Sequence, residues 1–287
     1  SAKDRRKILL YEKNSYHFET LCSVLNKWPT SQIEIYAPNV SSNRGRELIN
    51  AALQRYSNDK IVSTIRITKY DEVYLNTFDS ASGCLMAFIL TVLGCPFSGL
   101  VHNYKFLNTS SRKSLSTSKR LFSIFLIRLS VYAKCLYTLS SDLDHRCYQN
   151  RNIQFHDMME LKHFQNLSNN TIDTPYCVII GGYSQLKKDY SQLLDTYVHH
   201  ALQYDLHFLG EYSQAHRYTI TEDLKSEGIR CYFYDQLGDL DLLRYVSESC
   251  GILDINRVDV YGIEKVSAQE YLARVYGLPI YRKGQNV

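Results

Sequence analysis

The sequence is poor in the features that usually announce a function. In 287 residues it has one tryptophan (Trp28), three methionines and five prolines. It contains no C-x-x-C pair, and no histidine stands at metal-ligand spacing from a cysteine, which excludes a zinc ribbon or a dithiol redox centre. The Walker spacing of a P-loop is missing, as is the G-x-G-x-x-G of a dinucleotide turn. No D-x-D stands out at a strand end. No signal peptide is visible. The formal charge of +4 is mild. Without a concentrated basic stripe it argues against nucleic acid as the partner, while leaving room for an anionic ligand or surface.

Other residues are plentiful. Hydrophobic residues make up 45% and charged residues 22%, the balance of a folded chain rather than a disordered one. Eight cysteines are scattered, most of them inside apolar runs, where cysteine behaves as a small buried hydrophobe. That usage fits a reducing, cytoplasmic setting better than a disulfide framework. Tyrosine is abundant at 24, with no functional reading from sequence alone.

Strand and helix patterns alternate along the chain. Lys7 to Glu12, Ile33 to Pro38, Ile61 to Ile67, Glu72 to Phe78, Phe97 to Asn103 and Cys135 to Ser140 read as strands. Helical spacing falls on Phe18 to Leu25, Arg46 to Tyr56, Ser82 to Leu93 and Lys119 to Ala133. The polar run Asn166 to Thr174, ended by Pro175, reads as a linker. Alternation then restarts with strands at Tyr176 to Ile180, Leu206 to Leu209, Ile229 to Phe233, Gly251 to Ile255 and Leu278 to Tyr281. Between them lie helices at Lys188 to Leu202, Thr221 to Glu227, Leu240 to Cys250 and Ser267 to Tyr276. The expectation is two α/β domains, 1–172 and 173–287, each a Rossmann-like parallel sheet covered on both faces.

Two strand-to-helix junctions of the second half carry the chemistry. In Y-C-V-I-I-G-G-Y-S-Q-L-K-K-D-Y a strand ends in Gly181 and Gly182, and Lys187 and Lys188 follow. Glycines let backbone N–H groups approach a ligand, and lysines beside a helix start favour an anion such as phosphate. The competing reading is a plain turn with a solvated lysine pair. The second junction, Y-G-I-E-K-V-S-A, makes its turn at Tyr261 and Gly262 and opens a helix with Lys265, Ser267 and Ala268. A lysine at a helix N-terminus opposes the helix dipole unless an anion sits there. Together the junctions suit a diphosphate at the carboxyl ends of the strands.

The ordered set V-I-I-G-G, K-K-D-Y, L-H-F-L-G, Y-F-Y-D-Q-L-G-D-L-D-L-L and Y-G-I-E-K-V-S-A with G-L-P-I resembles the donor domain of a GT-B glycosyltransferase. The resemblance covers about the last 110 residues well, and the first 170 only by βαβ pattern. Ala268 stands where glycine is commoner, and no helix returning to the first domain follows Tyr281, as in a truncated or unusually compact member. The resemblance implies two domains facing a cleft and metal-independent transfer of a sugar from a nucleotide sugar to a glycan or lipid-linked acceptor, as in bacterial or viral polysaccharide assembly. It places Gly181, Gly182 and Lys187 or Lys188 near the donor phosphates, with Lys265, Ser267 and Ala268 facing the same group. Tyr234 would lie near the base, and Glu270 on the ribose or sugar. A nucleotide-sugar epimerase and a catalytically silent binding module fit the same plan.

The first half should supply a base for the acceptor hydroxyl. The candidates stand where strands end: His102 first, then Glu12 (with His17 nearby) and Asp79. The competing readings are a loop-capping histidine, a surface salt bridge for Glu12 and a helix cap involving Asp79 with Ser80 or Ser82. One further segment, 111–134, is apolar from Leu121 to Ala133 and preceded by Arg112, Lys113, Lys119 and Arg120. It is too short for a span and suits either an interfacial helix on anionic lipid or a buried core helix.

Overall fold

The computed structural model describes residues 5–15, 17–28, 30–40, 44–54, 60–107, 115–139, 153–155, 174–257 and 268–284. The chain divides into two compact units, Ser1–Glu160 with Ile263–Val266, and Leu161–Gly262 with Ser267–Val287. The junction expected at residues 172–173 lies outside the described residues.

In the first unit, K-I-L-L-Y is apolar after its lysine, and β1 (Lys7–Tyr11) is buried at every position past Lys7. Such a run needs cover on both faces, as in a parallel sheet. Its partners are β2 (Gln32–Tyr36), β3 (Lys60–Ile61), β4 (Glu72–Leu75), β5 (Phe97–Val101), β6 (Cys135–Thr138) and β7 (Ile153–Phe155). All pair in parallel, in the order β3-β2-β1-β4-β5-β6-β7. The connecting helices include α1 (Phe18–Ser23), α2 (Arg44–Leu53), α3 (Ala81–Val92) and α4 (Thr117–Ser130).

The second unit repeats the plan with β8 (Tyr176–Ile180), β9 (Asp205–Leu209), β10 (Cys231–Tyr234), β11 (Ile252–Leu253) and β12 (Ile280–Tyr281). Its parallel order is β10-β9-β8-β11-β12. The helices are α5 (Gln192–His199), α6 (Gln214–Lys225), α7 (Asp239–Ser247) and α8 (Ala268–Tyr276). Strand order reverses between β1 and β4 in one sheet and between β8 and β11 in the other. Crevices for ligands open at the carboxyl ends of strands at such reversals.

Several boundaries differ from the sequence expectation for local reasons. The helix expected from Lys188 starts only at Gln192, because Lys188 is held in a bridge to Asn256. The strand expected over Ile61 to Ile67 stops after Ile61. From there the chain leaves the sheet edge and packs Val62, Ile65 and Ile67 on the core. Helix α6 begins seven residues early, where Ser213 Oγ accepts from the His216 N–H at 3.3 Å, a cap the pattern search missed. The three-residue edge strand β7 was not expected at all. Gly94 closes α3 at φ 66°, as its position suggested.

Candidate functional site

Glu12 directly follows β1 and is almost fully buried. One of its oxygens accepts from the Asn14 backbone N–H at 2.7 Å and from Asn14 Nδ2 at 2.8 Å. The other accepts from Asn76 Nδ2 at 2.8 Å and from the Thr77 hydroxyl. All four donors are neutral. Burial pushes the Glu12 carboxyl above the usual range, and the hydrogen bonds only partly oppose this.

Two other carboxylates in the same sheet are buried differently. Glu72 meets Arg6 and Lys134, with the lysine at 3.0 Å, and accepts from Ser98 Oγ at 2.6 Å. Glu34 meets Lys69 at 2.8 Å and Lys60 at 3.3 Å. Burial alone would raise Glu34, but Lys69, Tyr70 and Lys60 outweigh it and leave the carboxyl low. Cationic partners of that kind mark structural carboxylates; Glu12 has neutral ones.

Beside Glu12 stand two stacked imidazoles, His17 and His102, with ring centroids 4.0 Å apart. His102 Nε2 lies 2.9 Å from the Asn76 carbonyl, which can only accept, so Nε2 carries a proton in this geometry. His17 sits in left-handed backbone at φ 68° just before α1. Burial pulls its pKa down, but Glu19, Glu12 and Asp79 outweigh that and leave it raised. Asp79 accepts from the backbone N–H groups of His102 at 3.2 Å and Asn103 at 2.6 Å, and burial pushes its carboxyl up. Asp79 therefore ties the loop after β5. The helix cap is supplied by Ser80, which accepts from the Gly83 N–H at 3.0 Å. Glu12, Asp79 and His102, named from strand-end positions alone, thus converge on one cluster. Asn76 and Thr77 complete it, and no motif had pointed to them.

In the second unit the Gly-Gly turn has a steric cause. Gly181 is at φ 89°, and a side chain on Gly182 would meet the Glu211 carbonyl oxygen at 2.8 Å. The loops after β8 and β9 pack backbone to backbone there, with the Tyr183 N–H donating to the Glu211 carbonyl at 2.9 Å. Lys187 points outward. Lys188 is buried, donates to the Gly181 carbonyl, and lies 5.9 Å from the centre of the Tyr212 ring. Burial lowers its pKa to about 7, against the pull of Asp254.

Lys188 lines a cavity of about 580 Å³ together with Tyr183, Tyr190, Asn256 and Arg257. Its walls come from the exits of β8 and β11, the switch point of this sheet. The Tyr183 ring stacks on Tyr190 at 4.7 Å and on His216 at 3.4 Å, giving part of the tyrosine excess a place. Gln269, in the first turn of α8, donates Nε2 to the Ile180 carbonyl at 3.1 Å, while its buried Oε1 has no hydrogen-bond partner among the described residues. Gln269 carried no sequence signal, and Tyr190 entered only as the last residue of K-K-D-Y. Glu270 is paired at 2.6 Å with Arg282, which also holds Asp254 at 2.7 Å. Tyr234 ends β10 and packs against Tyr245 at 4.6 Å. Tyr261, Gly262, Lys265 and Ser267 lie outside the described residues, and Ala268 is the first residue of α8.

No family model matches the sequence, and no curated protein matches it. Solved structures are similar. UDP-GlcNAc 2-epimerase from Methanocaldococcus jannaschii superposes with a TM-score of 0.56 at 11% identity, covering 96% of this chain and 82% of that one. Anabaena HepE, solved in complex with UDP, gives 0.56 at 13% identity, covering 96% and 79%. Glycyrrhiza uralensis UGT73P12, complexed with glycyrrhetinic acid 3-O-monoglucuronide, gives 0.57 at 9% identity, covering 96% and 76%. With its two parallel sheets, the chain has the GT-B fold.

Proposed function

From that fold we propose a nucleotide-sugar enzyme whose second unit holds the donor and whose first unit supplies proton transfer. The observation that carries this reading is Lys188, a buried amine at the switch-point cavity with no ion pair among the described residues. A buried lysine without a carboxylate at contact distance is costly, and an incoming diphosphate would supply the missing charge. Lys265 and Ser267 are proposed to face the same diphosphate. The names of the similar proteins, which include a UDP complex and UDP-GlcNAc epimerases, support UDP as the first nucleotide to try.

As a glycosyltransferase, the protein breaks the bond from the sugar anomeric carbon to the diphosphate oxygen. The diphosphate leaves as an anion against Lys188. The acceptor oxygen forms the new bond to the anomeric carbon, and its proton passes to the His102–His17 pair. Glu12 and Asp79 favour the resulting imidazolium by their charge. A glycan or lipid-linked acceptor is the proposed class.

Glu12, buried among neutral hydrogen-bond donors, and the epimerases among the similar folds favour a second reading, epimerisation of the sugar by proton abstraction at carbon. One experiment separates the two. The protein is incubated with UDP-sugars in deuterium oxide, with and without oligosaccharide or lipid-linked acceptors. Transfer needs acceptor, releases UDP and leaves the sugar carbons without deuterium. Epimerisation places deuterium on the sugar with no acceptor present. Absence of UDP or UDP-sugar binding in calorimetry would overturn both.

A further inference from the structure

Helix α3 contains no charged residue, yet it is not enclosed. Leu85, Phe88 and Val92, spaced to share one face, point outward, and Val92 is 68% exposed. Helix α4 turns Ser123, Leu126 and Leu129 to the core. Its opposite face shows Leu121, at 64% exposure, with Phe125 and Tyr132. The Phe88 and Phe125 rings meet with centroids 5.8 Å apart, so the two outward faces form one continuous apolar surface. Helix α4 thus packs one face on the core and leaves the other exposed. Contiguous exposed apolar surface of this kind marks an interaction site.

Charge selects the occupant. Residues 81–134 contain seven lysines and arginines and no aspartate or glutamate, while the rest of the chain is net acidic. Exposed Lys119 and Arg120 open α4, and exposed Arg128 stands on the same helical face as Leu121 and Phe125. A protein partner usually meets mixed charge at such a rim. The exposed cations Lys119, Arg120 and Arg128 around phenylalanine and leucine suit anionic lipid headgroups above an apolar interior. Lysine and arginine stems lie along the apolar surface while their heads reach the phosphates. Among the described residues no helix is long and apolar enough to cross a membrane, so the contact would be peripheral.

We infer that the α3–α4 face docks this protein onto an anionic bilayer surface. The surface belongs wholly to the first unit and does not depend on the nucleotide-sugar reading.

The test is co-sedimentation with phosphatidylcholine vesicles that contain or lack phosphatidylglycerol. Binding is expected on the anionic vesicles, weakening as salt is raised. Each basic residue near the surface contributes about fivefold to binding, so a Lys119→Gln/Arg120→Gln variant should bind about 25-fold more weakly. A Leu85→Ser/Leu121→Ser variant, altered only at exposed positions, should lose most of the remaining binding. Circular dichroism checks its fold, and UDP affinity should stay at the wild-type value in both variants. Equal binding to neutral and anionic vesicles, or no binding to either, overturns the inference. So does a dimer in light scattering that Leu121→Ser dissociates, since a second copy would then cover the face. None of these outcomes bears on nucleotide binding, which is measured separately.

Discussion

At the switch point of the first sheet the chain buries carboxylates beside two half-buried imidazoles, whereas at the same place in the second it buries a lysine among tyrosines. The topology of the two sites is shared, and only the side chains differ. The first collects ionisable carboxyl and imidazole groups, with Glu12 pushed up by burial and His17 raised by its acidic neighbours. The second collects one amine pushed toward neutrality, Lys188, which an anion would recharge. Parallel sheets open their crevices at these points whatever the sequence, so the contrast between the two sites rests on a handful of residues.

The sharpest way to separate the two sites is to remove the imidazole of the first. His102→Ala should lower turnover by roughly 10²–10⁴-fold, the usual contribution of a positioned base. Nucleotide affinity, measured by calorimetry, should stay within about twofold of wild type. Full turnover in the variant would reduce His102 to a loop residue and move the test to His17 and Glu12.

Lys188→Met attacks the other side of the comparison. Loss of a charged hydrogen bond to the diphosphate should weaken UDP binding by about 1–3 kcal/mol, with the fold intact. The pH dependence gives a second readout. The folded pKa is depressed to about 7 from 10.5, so the contribution to stability is full above 10.5 and is lost as pH falls toward about 7. Wild-type stability should therefore carry a rising slope from about pH 7 upward that the methionine variant lacks. UDP binding above about pH 7 should also take up a proton, seen as a buffer-dependent heat. Unchanged slope and affinity together would make Lys188 a structural residue.

The smallest effect separates two buried carboxylates of one sheet. Glu72→Gln breaks contacts to Arg6 and Lys134 and should cost about 1–2 kcal/mol in denaturant midpoint. Glu12→Gln removes a charge that has only neutral donors. A folded pKa above the unfolded one means that Glu12 contributes least once pH has risen through its folded value. Glu12→Gln should thus leave stability unchanged or higher near neutral pH while lowering turnover. Equal destabilisation by both substitutions would erase the distinction between them.

The division into two α/β units, the parallel sheets and the glycine turn at residues 181–182 were legible in sequence. Apolar runs bounded by turns must be buried on both faces, and Gly-Gly announces backbone that no side chain tolerates. Strand-end position alone also pointed to Glu12, Asp79 and His102. Tertiary structure decided what each of them meets. Lys187 and Lys188 are adjacent and identical in type, yet the bridge to Asn256 turns one inward and leaves the other in solvent. Glu12 and Glu72 are equally buried, and only partners from distant parts of the chain make Glu72 an ion-paired carboxylate and give Glu12 neutral donors. Asn76, Tyr183, Tyr212 and Gln269 have no local signature, because their chemistry arises from strand ends that meet only once the sheets have formed.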